Sequence, residues 1–403
     1  MKTDKAFLTS EALSISGLLE TVREIGPILS QYIVEERENR RLSKAVMNAL
    51  REAGLFRLYL PQSLGGFEVD PLTMAKVVEE VSRYNVAAGW TLMVANTARW
   101  WCSRLNEDGV DEIFNNDPDT FLAGAFHPPM SATPVDGGFK IKGRTPLASN
   151  IRDAKWVFVT AFVMEEGNIK MHNGIPEMIG VHMASKDCEV IDTWHSIGMP
   201  STDSGDLAAN DVFVPSHLVY PLAPEFQPND HFSGPLYRYA AIGASITSLI
   251  APVTLALARN AIEELKVLAE KKVPFGSMAS LAMKGSVQRK IGIAEGLVQS
   301  SRVYLFQTIE NTWKKVMSGE KLDLGDKADL LLAAVHTNQS CFQAVDLMYS
   351  AAGTTGIYTK NRLANYFADA QVIRQHGFAN DSRYETAAQV YLGLPPDLPV
   401  LAF

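Results

Sequence analysis

Three cysteines in 403 residues, Cys102, Cys188 and Cys341, leave little room for disulfide chemistry, because the number is odd, the spacing wide and no pair fits a zinc or dithiol pattern. No disulfide and no metal site are expected. The opening Met1-Lys-Thr-Asp-Lys5 lacks the apolar stretch of about 7–15 residues of a secretory leader, and no apolar run approaches the roughly 18 that cross a bilayer. A cytoplasmic protein without a membrane partner is expected. Positive charge is sparse: Lys and Arg number 37 against 45 Asp and Glu, and the densest basic runs are pairs such as Lys271–Lys272 and Lys314–Lys315. No surface is built to neutralise phosphates, which argues against nucleic acid as a partner. Also missing are a Gly-x-Gly-x-x-Gly after a strand, a Walker loop, a His-Glu-x-x-His and a Gly-x-Ser-x-Gly elbow, which sets aside tightly bound nicotinamide and several hydrolase chemistries. There is no internal repeat to suggest a solenoid.

What is present is an ordinary globular composition, 47% hydrophobic and 20% charged, with length enough for a large core. From Glu11 to about Gly54 apolar residues (Leu18, Leu19, Val22, Ile25, Ile28, Leu29, Tyr32, Ile33) recur at helical spacing. Helical patterns resume at Pro71–Tyr84 and Ala87–Asn106, the second apolar on nearly all sides and so expected to be buried. Between about Phe121 and Leu222 the texture changes to short β-branched or aromatic runs, Gly138-Phe-Lys-Ile-Lys142, Trp156-Val-Phe-Val-Thr-Ala161 and Asp211-Val-Phe-Val214, divided by Gly, Asp and Pro. Long helices return over Ser245–Glu270, Ala279–Val316 and Asp326–Ala352. The order α, β, α predicts a helical domain over 1–120, a β domain over 121–225 and a helical bundle with a late loop over 226–403.

Three motifs give this order a family likeness. Gly54-Leu-Phe-Arg-Leu-Tyr-Leu-Pro-Gln-Ser-Leu-Gly-Gly66, Thr133-Pro-Val-Asp-Gly-Gly-Phe-Lys-Ile-Lys-Gly-Arg-Thr-Pro-Leu-Ala-Ser-Asn150 followed by Trp156-Val-Phe-Val, and Trp194-His-Ser-Ile-Gly-Met-Pro-Ser-Thr-Asp-Ser-Gly-Asp206 followed by Asp211-Val-Phe-Val-Pro215 together resemble the acyl-CoA dehydrogenase superfamily over nearly the whole chain. The resemblance implies a mainly α fold with a central β-barrel and a carboxy-terminal four-helix bundle. It also implies a homotetramer, which the Ala-rich late helices suit. It puts Ser149 where relatives place a hydroxyl against flavin N5, with Asn150 beside it, and makes Thr202 and Ser204 candidates for the flavin or its phosphate. A hydroxyl both donates and accepts, so it can serve either redox state. Asp203 departs from the small residue common in relatives.

Two further departures choose a branch. Dehydrogenases of the superfamily carry a carboxylate base near the substrate, but the late loop Tyr366-Phe-Ala-Asp-Ala-Gln-Val-Ile-Arg-Gln-His-Gly-Phe378 has Gln375-His376-Gly377 there. Ala123-Gly-Ala-Phe-His-Pro-Pro-Met130 likewise replaces the element associated with acyl-CoA binding. Both resemble the two-component monooxygenases of this fold, which take reduced FAD or FMN from a separate reductase, by transient contact or free diffusion, and use O2 through a C4a-hydroperoxide. His376 then stands near the reacting edge, where an imidazole of ordinary pKa about 6.5 can move a proton near neutrality. A dry pocket is needed, and the stretch Val86–Trp101 can form one wall with Trp90, Met93, Asn96 and Trp100 on roughly one face, although plain core packing explains each equally well. His127 in the β domain is a candidate to polarise a substrate hydroxyl, since no histidine lies within 86–106.

The expected substrate is a small aromatic or heteroaromatic, with phenols and indoles both open. A dehydrogenase or oxidase with its base relocated to Glu263, Glu264 or Glu295 is the enzymatic alternative. A non-catalytic flavin-holding protein is the alternative of another class, though the extended basic surface of such relatives is missing.

Overall fold

The computed structural model describes residues 14–114, 117–172, 174–223, 226–239, 242–398 and 401, with side chains of 242–248 left aside. The opening Met1–Lys5 stretch and the start of the helical reading at Glu11 lie outside these residues. Six helices come first: α1 (Ile15–Gln31), α2 (Ile33–Asn39), α3 (Lys44–Glu52), α4 (Pro71–Tyr84), α5 (Val86–Trp101) and α6 (Glu107–Phe114). The helical reading from Glu11 to Gly54 is divided in the structure, because Arg40 takes a left-handed conformation that ends α2 before Ser43 caps α3. Helix α4 begins as its sequence dictates, with Asp70 accepting from Leu72 and Thr73 amides and Pro71 in the first turn. Helix α5 stops at Trp101, short of Asn106, and continues as a 3₁₀ turn.

Ten strands follow: β1 (Leu122–Val135), β2 (Gly138–Ala148), β3 (Trp156–Glu165), β4 (Asn168–Ile169), β5 (Met171–His172), β6 (Ile175–Pro176), β7 (Met178–Ala184), β8 (Glu189–Ile191), β9 (Gly205–Pro215) and β10 (Val219–Pro221). The main sheet runs β10-β7-β3-β1-β2-β9-β8, with β4 beside β3. Its ends do not pair, so the expected closed barrel is corrected to an open sheet among the described residues. Strand β3 lies inside the sheet between β1 and β7, and Val157–Ala161 are all buried, which explains its continuous apolar run.

The chain closes with α7 (Ile242–Lys271), α8 (Gly285–Met317), α9 (Leu324–Ala352), α10 (Arg362–Arg374) and α11 (Arg383–Tyr391). Helix α9 packs on both α7 and α8, and α7 also packs on α4, joining bundle to opening domain. The expected start of α8 near Ala279 moves to Gly285, because Pro274 and Gly276 lie in a loop followed by a 3₁₀ turn.

Candidate active site

The antiparallel register of β2 and β9 pairs Ala148 with Gly205, so the next residues outward, Ser149 and Ser204, meet although 55 positions apart. Their Oγ atoms lie 2.9 Å apart, and Ser204 Oγ lies 2.8 Å from Thr202 Oγ1. Asn150 adopts φ 53°, turning the chain so that its amide donates to Thr202 O at 2.7 Å and its side-chain oxygen accepts from Thr91 at 2.6 Å. All four residues are buried.

Helix α5 supplies the opposite wall. Gly89 lets it press against α4, since a Cβ there would sit 1.8 Å from Ser82 Oγ. The next residue, Trp90, donates from Nε1 to Ser149 Oγ at 3.1 Å, and its ring meets His376 edge-on with centroids 5.6 Å apart. His376 follows α10, and its Nδ1 accepts the Phe378 amide at 3.3 Å. That bond puts the ring proton of the neutral form on Nε2.

His376 is half-buried, and desolvation lowers its pKa from the ordinary 6.5 to about 4. The expectation of a histidine titrating near neutrality is therefore corrected: the ring is neutral at pH 7 and offers an Nε2–H donor.

The segment before Ser204 is clamped to α10. Asp369, in the Tyr366-Phe-Ala-Asp-Ala motif, accepts from the Met199 amide and pairs with Arg37 of α2 at 2.9 Å. Gly198 is required there, because a Cβ would stand 2.1 Å from Ala368 O. Asp203 is buried, takes φ 44° and pairs with Arg152. Burial raises its carboxyl to about 6, against the pull of Arg152 and Arg41.

The other expected pocket residues separate. Asn96 departs from the pocket reading: its amide accepts from the Tyr59 backbone and donates to Leu55 and Leu92 carbonyls, each at 3.0 Å, so it ties the opening domain together. Met93 is buried one turn from Trp90. Trp100 donates to Leu236 O at 3.3 Å and joins Trp101 and Phe226 in an aromatic cluster. The His127 ring is exposed, and no hydrogen bond or ring contact joins it to Trp90, Ser149 or His376. Phe378, Thr91 and Leu147 were not singled out from sequence. Leu147 had the best available signal, a bulky residue two positions before Ser149.

A flavin fits these residues on two observations. Asn150 Nδ2 is buried with no hydrogen-bond partner among the described residues. Leu147 is 57% exposed at φ 64°, a conformation that costs a leucine roughly 1–2 kcal/mol and leaves an apolar side chain in water beside Ser149 unless a ring covers it. Among the described residues no group of three or more His, Cys, Asp or Glu is arranged to hold a metal, and no helix is long and apolar enough to cross a membrane.

Comparison with known proteins places the chain in a family. The model for the acyl-CoA dehydrogenase N-terminal domain matches residues 18–112 and that for the acyl-CoA dehydrogenase C-terminal domain matches 248–381, together more than half the chain. Indole-3-acetate monooxygenase of Pseudomonas putida is 28% identical over 361 residues, 89% of each chain. The FADH(2)-dependent resorcinol hydroxylase oxygenase component of Rhizobium sp. is 23% identical over 94% of this chain and 95% of its own. Among solved structures, XiaF from Streptomyces sp., in complex with FADH2 and glycerol, superposes with TM-score 0.87 at 22% identity, covering 96% of this chain and 97% of that one. The chain belongs to the acyl-CoA dehydrogenase superfamily, in the branch whose named members are flavin-dependent monooxygenases.

Proposed function

We propose that this chain is the oxygenase component of a two-component flavin-dependent monooxygenase, using reduced FAD or FMN and O2 to hydroxylate a small aromatic or heteroaromatic compound of the phenol or indole kind. The observation that carries this reading is the meeting of Ser149, Trp90 and a neutral His376 where dehydrogenases of the family place a carboxylate. The relocated-base alternative loses support, because Glu263 pairs with Arg83 at 2.7 Å and Glu295 with both Arg259 and Lys266. Glu264, half-buried on the same helix α7 as Glu263, shows no such ion pair among the described residues.

Bound reduced flavin would supply the electrons and the site of O2 activation. Ser149 and Asn150 would meet the ring edge, Thr202 and Ser204 would support it from behind through Ser149, and Leu147 would lie against its face. His376 would direct its Nε2–H at the reacting edge as a fixed donor. Trp90 and Met93 would form the apolar wall that keeps water from the reacting atoms. A cytoplasmic setting and a reductase supplying flavin by diffusion or transient contact complete the reading. Phe275 and Met278, fully exposed between α7 and α8, support assembly with further copies as a homotetramer.

The test is stopped-flow absorbance. Anaerobically reduced FMN or FAD is mixed with the protein and then with oxygenated buffer. A near-ultraviolet transient outlasting free flavin reoxidation is expected. Reoxidation at the protein-free rate would sink the proposal, and acyl-CoA-dependent bleaching of bound FAD would revive the dehydrogenase.

A further inference from the structure

Three hydroxyls run in a chain from Ser149 into the protein. Ser149 Oγ lies 2.9 Å from Ser204 Oγ, Ser204 Oγ 2.8 Å from Thr202 Oγ1, and Thr202 Oγ1 2.8 Å from Met199 O. Each hydroxyl has one proton to donate and two lone pairs to accept with. The ends differ: Trp90 Nε1–H can only donate to Ser149, and the Met199 carbonyl can only accept.

Two proton orders satisfy this chain. In the first, Ser149 donates to Ser204, Ser204 to Thr202 and Thr202 to Met199 O. Ser149 then turns an empty lone pair to the cleft. In the second, Thr202 donates to Ser204 and Ser204 to Ser149. Both lone pairs of Ser149 are then filled, by Ser204 and Trp90, and only its proton remains for a ligand. Met199 O tolerates the second order, because the Trp194 indole also donates to it at 3.0 Å and the Thr202 amide at 3.2 Å.

We infer that this relay, with Ser204 as its necessary link, lets Ser149 accept from reduced flavin and so sets the preference of the site for reduced over oxidised flavin. The inference rests on the proposal that Ser149 faces flavin N5. Reduced N5–H donates a hydrogen bond, whereas oxidised N5 accepts one. Ser149 can receive N5–H only if its own proton goes elsewhere, and Ser204 Oγ is the one acceptor in reach among the described residues. Without Ser204 Oγ the Ser149 proton has only the cleft to point into. Oxidised flavin is then still matched, and reduced flavin meets donor against donor. Ser204 and Thr202 thus act as positioning residues through Ser149.

Binding and potential test this without turnover. The affinities of reduced and oxidised FMN and FAD are measured anaerobically by ultrafiltration, and the midpoint potential of bound flavin is titrated with a redox dye. Ser204→Ala should lower the reduced-to-oxidised affinity ratio about tenfold, the scale of one mismatched hydrogen bond. The bound-flavin midpoint should fall by about 30 mV for the two-electron couple. Ser204→Thr should restore both. Thr202→Val leaves Ser204 only the Thr202 carbonyl at 3.5 Å as an outlet, so it should shift both in the same direction by less. It also serves if Ser204→Ala does not fold.

An unchanged ratio and potential in Ser204→Ala and Thr202→Val, with Ser149→Ala altering both, would overturn the relay and leave the contact of Ser149 standing. If Ser149→Ala alters neither, or the unaltered chain binds neither redox state, the placement of Ser149 fails and the relay with it.

Discussion

Arg37 of α2 and Asp369 of α10, 332 positions apart in sequence, form a part-buried ion pair whose buried carboxylate also holds the Met199 amide. The pair fastens the Met199–Ser204 segment to the helix that leads into His376. Asp369→Ala leaves Arg37 and the Met199 amide without their acceptor, and a loss of about 3 kcal/mol is expected. Flavin binding should weaken with it. Urea unfolding and flavin titration measure the two effects, and a stability change under about 0.5 kcal/mol would contradict the anchoring role.

On the proposed reading, His376 contributes a donor at a fixed place, not a site of tight binding. His376→Ala should cut product formation by about 100-fold, the lower end of what positioned proton donors contribute, while reduced-flavin affinity changes by less than about threefold. More of the O2 consumed should appear as hydrogen peroxide. Product formed per O2 consumed reads this, and unchanged coupling would remove His376 from the chemistry.

Two shifted groups pull stability in opposite directions on acidification. His376 titrates near 4 when folded against an ordinary 6.5, so the unfolded chain takes up its proton first. Its contribution is present above about 6.5 and lost as pH falls through about 4. Asp203 titrates near 6 when folded against an ordinary 3.8, so its contribution is present below 3.8 and lost as pH rises through about 6. Between pH 6 and 4, His376→Gln should lose less stability on acidification than the unaltered chain and Asp203→Asn should lose more. Denaturant unfolding across that range measures both, and parallel pH profiles for all three chains would refute the assignment.

Asn96 is a clamp between α5 and the Leu55–Tyr59 turn. Asn96→Ala frees the Tyr59 amide and two carbonyls, and a cost of about 2 kcal/mol is expected from the buried groups left unpaired. The product spectrum of the folded fraction should stay the same. A changed substrate preference with unchanged stability would return Asn96 to the pocket.

Phe275 and Met278 stand fully in solvent on the isolated chain. On the proposed homotetramer, Phe275→Asp with Met278→Asp should reduce the assembly size seen by light scattering to a smaller species. A mass identical to that of the unaltered protein would show that this loop does not hold the copies together.

Much of this was legible in the residues themselves. Periodicity located α4 to its ends, because Asp70 and Pro71 write the start of the helix locally, and the β-branched run at Trp156 is a strand in any context that buries both faces. The late-loop motif singled out His376, since a missing carboxylate is visible without coordinates. Tertiary structure alone decided what depends on which atoms meet. It left the sheet open where a barrel was expected, because closure depends on the pairing of edge strands far apart in the chain. It turned Asn96 from a pocket wall into a clamp, because a helical face does not reveal which backbone lies opposite. It lowered the pKa of His376 from the ordinary 6.5 to about 4, because its burial, beside Trp90, exists only once residues far apart in the chain pack together.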